Sequence, residues 1–217
     1  MTVLKQVPKS WERLFRQALR LLDDLRDKSG TEPFWTFGGG TALMLRYRHR
    51  MSKDVDIFVP DPQYLGYVTP RLSDVAEGIT QNYVEAAGYV KLVLPGGEID
   101  FVAAPNLTDD PFEELELLGS NVRVETAAEI IAKKMWHRGD QVAARDLFDL
   151  ALVIRKEPAS LARAGAFLMK HREPFLAQLE ARQVILRESF DSIDTLDFNP
   201  TFDDCVVRVK RFLTALK

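Results

Sequence analysis

Residues 35–59 read WTFGGGTALMLRYRHRMSKDVDIFV, and the order of elements in this stretch sets the fold class. The aromatic run from Phe34 to Phe37 predicts a short strand. Gly38, Gly39 and Gly40 break it, Thr41 to Arg48 reads as a helix, and Val55 to Val59 returns as a strand stopped by Pro60. A glycine run between a strand and a helix exposes backbone N–H groups at a helix N-terminus. No Cβ blocks an anion there, and the helix dipole favours one. Gly39, Gly40 and Thr41 are therefore candidate phosphate contacts, and Ser52 offers a hydroxyl to the same phosphates. Arg46, Arg48, Arg50 and Lys53 add positive charge beside them with no acid between.

The carboxylates in the stretch point to a cation. Asp54 and Asp56 are two apart on the predicted strand and so share a face, with Val55, Ile57 and Val59 on the other. Two like charges side by side repel each other, which is costly unless a cation bridges them. Hard oxygen ligands with no His or Cys nearby suit Mg²⁺ or Mn²⁺. Glu98-Ile99-Asp100-Phe101 repeats the alternation, so Asp100 is a third carboxylate on a neighbouring strand. Three carboxylates are enough for two divalent ions, one for a triphosphate and one for an attacking oxygen.

Outward from this centre, Trp11, Leu14, Phe15, Ala18, Leu21, Leu22 and Leu25 recur at helical spacing, predicting a helix over 10–28 with Ser10 as N-cap and Gly30 beyond its end. A further helix is expected over 71–87, strands at 89–94 and 98–103 around a Pro95-Gly96-Gly97 turn, and a short strand at 122–124. Beyond that the patterns are helical, over 126–137, 141–156, 159–171, 174–188 and 202–216. The expected class is α+β: a mixed sheet with flanking helices over 1–125, then an all-helical region over 126–217 packed on it.

Composition excludes several classes. The chain has 217 residues, 46% hydrophobic and 28% charged, and a net charge of −3, which is globular and not a nucleic-acid-coating protein. One cysteine, Cys205, leaves no internal disulfide, and three scattered histidines give little basis for a His-based metal site. No apolar run is long enough to span a membrane and no signal-peptide core is visible, so a cytoplasmic protein without membrane contact is expected.

With Gly39-Gly40 followed by Asp54-Val55-Asp56, the chain resembles nucleotidyltransferases of the polymerase-beta type. The fuller string GGGTALMLRYRHRMSKDVDIF is similar to the AbiEii-type nucleotidyltransferases, toxins of type IV toxin–antitoxin and abortive-infection systems. Glu129 to Arg138 and Arg145-Asp146-Leu147-Phe148-Asp149-Leu150 resemble the helical Lys…Arg…Arg-Asp signature of that family. The resemblance implies a metal-dependent transfer of NMP from an NTP to a hydroxyl, on RNA such as a tRNA 3′ end or on a protein, and a cognate antitoxin. It makes Asp54, Asp56 and Asp100 the Mg²⁺ or Mn²⁺ ligands and, with Lys134, the catalytic residues, Asp100 completing the second metal site or acting as general base; Lys134 is the nucleotide-contacting lysine, with Lys133 as the alternative register. Arg145 and Asp146 complete the nucleotide contacts. Glu129, Lys133 and Asp149 read instead as a surface salt-bridge ladder between two packed helices. Two other functions remain open: a nucleotidyltransferase with a small-molecule acceptor of the antibiotic type, and a non-catalytic relative that binds a nucleotide or a partner.

Overall fold

The computed structural model describes residues 6–216. Val55, Ile57 and Val59 of β2 (Val55–Val59) are fully or almost fully buried, while Asp56 and Phe58 alternate onto the other face. On one side β2 pairs antiparallel with β1 (Thr36–Gly38), and on the other it runs parallel to β5 (Gly97–Ala103). β5 continues through the antiparallel strands β4 (Tyr89–Leu94) and β3 (Tyr83–Ala86). β1 continues through the parallel strand β7 (Ser120–Glu125) to β6 (Phe112–Leu117). The result is one mixed sheet of order β3-β4-β5-β2-β1-β7-β6, with Asp56 and Asp100 on its central strands.

The core face of the sheet is covered by α1 (Glu12–Ser29). Phe15 packs 4.8 Å from Phe37 and Trp11 stacks on the same ring at 6.1 Å. Ser10 is not the cap: it lies in a 3-10 turn, Lys9–Trp11, and Trp11 occupies the cap position without a side-chain bond. α2 (Gly39–Tyr47) begins inside the glycine run, so Gly38 closes the strand and Gly39 opens the helix. Its end is unusual. Arg48 takes a left-handed conformation (φ 53°), which costs a non-glycine residue about 1–2 kcal/mol. That turn aims the chain into residues 49–53.

The expected helix over 71–87 is only α4 (Asp74–Ile79), after a short α3 (Leu65–Val68). Ser73 caps α4 by accepting from Ala76 N–H, and the polar run Thr80-Gln81-Asn82 ends it. Tyr83 and Val84 then pair in β3, as aromatic and β-branched residues favour. β6 has no counterpart in the sequence reading. Its run Phe-Glu-Glu-Leu-Glu-Leu carries three acids and pairs along its whole length with β7.

After β7 only helices follow: α5 (Ala127–Arg138), α6 (Ala144–Lys156), α7 (Pro158–Arg163), α8 (Gly165–Met169), α9 (Arg172–Ala181), α10 (Gln183–Asp191) and α11 (Phe202–Ala215). The expected segments 159–171 and 174–188 are each broken into two. α6 is buried nearly all round, with Phe148 against Phe190 at 5.5 Å and Phe198 at 5.1 Å. The helical region also grips the loop before β2. Met51 N–H donates to Asp194 O, Leu196 N–H to His49 O and Asp197 N–H to Arg48 O, and an antiparallel bridge joins Arg50 to Thr195. Cys205 is buried, its thiol pushed up to about 12 by desolvation. No helix of the described residues is long and apolar enough to cross a membrane.

Phe148→Ala opens a cavity where α6, α10 and the 194–198 segment meet. It is expected to lower stability by about 3–5 kcal/mol, read as a shift in the urea midpoint with an unchanged slope.

Candidate active site

Asp56 on β2 stands directly beside Asp100 on the parallel strand β5, in register. On its other side Asp56 faces Gly38 of β1. Asp54 lies just before β2, not on it, and its Oδ1 accepts the Glu98 N–H at 3.0 Å, which ties it to the start of β5. Burial, then the neighbouring Asp100, push the Asp56 carboxyl up to about 7, against the pull of Lys134 and Arg138 and with a further push from Asp54. Burial also raises Asp100, whose Oδ2 lies 3.4 Å from Lys91 Nζ. Asp100 Oδ1 is buried without a hydrogen-bond partner among the described residues.

The glycine run makes room for these groups. Gly39 has φ +69°, and a Cβ there would fall 1.9 Å from Asp56 Oδ2. A Cβ on Gly40 would meet Arg50 Nη2 at 2.8 Å and Ser52 Oγ at 2.9 Å. The N-terminus of α2 is therefore packed against Asp56, and no side chain caps it. Thr41 is not a free donor. Its buried hydroxyl donates to Asp54 O at 2.5 Å and approaches Ser52 Oγ at 3.1 Å, fastening α2 to the entry of β2.

The basic run is dispersed, not gathered at the glycines. Arg46 is buried and donates to Glu125 O and Val124 O of β7 and to Glu113. Arg48 reaches Asp197 and Gln6 O. Arg50 forms a two-pronged pair with Asp149, Nε to Oδ1 at 2.7 Å and Nη2 to Oδ2 at 2.8 Å. Lys53 is exposed and has no hydrogen bond or ion pair among the described residues.

Asp149 is the principal correction to the sequence reading. It is fully buried, not on a surface ladder, and besides Arg50 it accepts from Lys134 Nζ at 2.6 Å and from His49 at 2.9 Å. A carboxylate only accepts, so His49 carries its proton on Nε2. Burial holds the imidazole below its ordinary pKa despite Asp149. Burial alone would raise the Asp149 carboxyl. Arg50 and then Lys134, with the hydrogen bonds from His49 and Arg50, outweigh it and hold the group well below the usual carboxylate range.

The two adjacent lysines separate cleanly. Lys134 bridges Asp149 and Asp146, and Asp146 also accepts from Arg138 at 2.8 Å. Lys133 points elsewhere, into a buried set with Glu125 and Glu129 and over the Phe58 ring at 4.3 Å. Glu129 in turn accepts from the Leu107 and Thr108 N–H groups. Glu129 and Lys133 thus join β7 to α5 and to the preceding loop, away from solvent. Arg145 is exposed where its neighbour Asp146 is buried, and it borders a cleft of about 310 Å³ shared with Ser52, Asp54 and Ser189.

Among the described residues, no three His, Cys, Asp or Glu side chains are arranged to close around a metal ion by themselves. The donors nevertheless fit a hard cation. Burial and then Asp100 raise the Asp56 carboxyl, and Asp100 Oδ1 has no hydrogen-bond partner among the described residues. Mg²⁺ is commonly held by one or two carboxylates, with substrate phosphates and water supplying the rest. His49, Arg50 and Asp149 were not marked as a unit by sequence. The available signal was their charge balance, since one apolar helix face carried an acid, Asp149, flanked by Phe148 and Leu150.

The family described as nucleotidyl transferase AbiEii toxin, type IV TA system, matches residues 20–217. Among solved structures, the nucleotidyltransferase toxin MenT4 of Mycobacterium tuberculosis is 22% identical, with a TM-score of 0.54 over 94% of this chain and 84% of that one. An H. pylori protein assigned as a nucleotidyltransferase is 16% identical, with a TM-score of 0.52 over 97% of each chain. At these identities the likeness is one of fold. No curated protein matches the chain.

Asp149→Ala leaves Arg50 as an unpaired buried cation and Lys134 with Asp146 alone, and is expected to cost about 3–5 kcal/mol. The Asp149 pKa is depressed on folding, so its contribution is present above the unfolded value of about 3.9 and is lost as pH falls through the lower folded value. The stability gap between wild type and Asp149→Asn should therefore narrow only below about pH 4. A gap that closes near neutrality would place the charge elsewhere.

Proposed function

The chain belongs to the AbiEii nucleotidyltransferase toxin family, and we propose that it transfers a nucleoside monophosphate from an NTP to a hydroxyl acceptor, with release of pyrophosphate. The observation that carries this reading is the in-register pair Asp56 and Asp100, set against the uncapped N-terminus of α2. The acceptor hydroxyl belongs to RNA, such as a tRNA 3′ end, or to a protein, and a cognate antitoxin restrains the activity.

Asp56 and Asp100, with Asp54 beside them, are the residues that hold Mg²⁺ or Mn²⁺, which when bound offsets triphosphate charge and polarises the phosphoryl group. The N–H groups of Gly39 and Gly40 face the phosphates at the helix start. Lys134 and Arg138 act on Asp56 as a positive field fixed in place by Asp146 and Asp149. A charge held in this way needs no reorganisation as negative charge moves onto the leaving oxygen. Ser52 and Arg145 border the cleft beside Asp54. In the transfer, the acceptor oxygen bonds to the α-phosphorus while the bond to the pyrophosphate oxygen breaks. The hydroxyl proton passes to Asp100, whose carboxyl is raised by burial above the ordinary carboxylate range.

Purified protein incubated with Mg²⁺, each α-labelled NTP in turn and total RNA or total cell protein should move label into one acceptor class. The double change Asp54→Ala with Asp56→Ala should abolish that transfer while leaving the circular dichroism spectrum unchanged, and surviving transfer would sink the assignment. A second expectation concerns pH. Below about 7 the Asp56 carboxyl holds a proton that an ion must displace, so Mn²⁺ affinity by calorimetry should rise about tenfold per pH unit up to neutrality and then level. An affinity indifferent to pH over this range would remove Asp56 from the ligand set.

A further inference from the structure

The last helix carries its charges in a fixed order. Asp203 and Asp204 open α11, and Arg208 and Arg211 follow toward its end. Asp203 is paired with Arg187 of α10, and Lys210 with Glu180 of α9, so one flank of α11 is fastened to the helical region. The neighbouring flank is uncovered. Asp204, Val207, Arg208, Arg211 and Ala215 fall within an arc of about 100° on a helix of 3.6 residues per turn. All are exposed except Arg208, which is half-buried. Val207, between Asp204 and Arg211, is 66% exposed. Arg208 and Arg211 have no hydrogen bond or ion pair among the described residues. Beside this arc runs a groove of about 590 Å³, bordered by Ile154 of α6 and by Phe212.

That order is self-complementary. Two copies of a helix with acids at its start and cations toward its end, laid antiparallel, bring unlike charges and unlike dipole ends together. A two-fold axis between Val207 and Arg208 sets Asp204 of one copy opposite Arg211 of the second, and symmetry repeats the contact. Val207 then meets the aliphatic stem of Arg208 from the second copy. We propose that this face of α11 is a homodimer interface, an antiparallel pair of α11 helices with Val207 at its centre. Burial of Val207, Phe212 and the groove beside Ile154 drives the association. The two contacts between Asp204 and Arg211 set the register and select the antiparallel mate. A helix of uniform charge fits less well. An acidic one would be drawn to Arg208 and Arg211 but repelled by Asp203 and Asp204, and a basic one the reverse. Contact along one helix of 14 residues is small, which places the affinity in the micromolar range. No residue of the candidate active site lines this groove, so the inference does not depend on the chemistry proposed there.

The test is sedimentation equilibrium of the full chain across micromolar concentrations. The wild type should show a monomer–dimer equilibrium that weakens as salt is added. Arg211→Asp and Asp204→Arg each place like charges at both contacts, and each should weaken dimerisation at least about tenfold. An equimolar mixture of the two variants puts unlike charges back at both contacts. It should recover a dimer near wild-type affinity, a result that no loss of fold could imitate. Asp204 also closes the capping box with Thr201, so thermal melting of its variant is compared with wild type first. Should that variant not fold, Arg211→Asp and Val207→Asp decide alone. Val207 lies outside the box and is exposed, so Val207→Asp should give a monomer with an unchanged melting temperature. A wild type that stays monomeric throughout, undiminished dimer affinity in either Arg211→Asp or Val207→Asp, or a folded mixture that stays monomeric would each overturn the interface.

Discussion

The arrangement depends on one buried carboxylate. Asp149 has no exposed surface, yet it gathers a guanidinium, an ammonium and an imidazole that come from two separate parts of the chain. Taking these charges out of water is expensive, and only near-ideal geometry offsets the cost. The two-pronged Arg50 contact supplies that geometry for the loop before β2, and Lys134 supplies it for α5. Through these contacts α6 fixes both the approach to Asp54 and Asp56 and the cation that faces them.

Charge is sorted by depth. Two lysines adjacent in sequence project from α5 about 100° apart, and the sheet divides them between different tasks. Lys133 neutralises Glu125 and Glu129 beneath the sheet face and covers Phe58. Lys134 is held by two acids, Asp146 and Asp149. The glycines are sorted in the same way: Gly39 leaves space for Asp56, and Gly40 leaves space for Arg50 and Ser52. A side chain at either position would displace a group that the site requires, so the tight turn and the chemistry impose the same residue type.

The central strand–helix–strand order and the alternation of β2 and β5 were legible in the sequence because each rests on local rules: glycine as a breaker and a period of two for a half-buried strand. Asp100 beside Asp56 was legible as a face but not as a register, since pairing is decided by partners far along the chain. The destinations of Arg46, Arg48 and Arg50 were not legible. A run of cations reads as one patch, yet a left-handed residue at Arg48 and distant acceptors at Val124, Glu125, Asp149 and Asp197 send each in a different direction. β6 escaped notice because its three glutamates mask the pairing that β7 imposes on it.

The clamp that holds residues 48–51 to Asp149 and to residues 194–197 also bears on how the protein is made. Its partners are about a hundred or more residues apart, 99 for Arg50 with Asp149 and 149 for Arg48 with Asp197. Contacts of such separation form late, after the loop-closure entropy of everything between has been met. On a ribosome, the sheet strands emerge well before α6 and long before the 194–197 segment. The nascent chain thus carries its glycines and paired acids in the open while the loop that aligns them remains unclamped. The loop that aligns the paired acids therefore closes only after the 194–197 segment has been made.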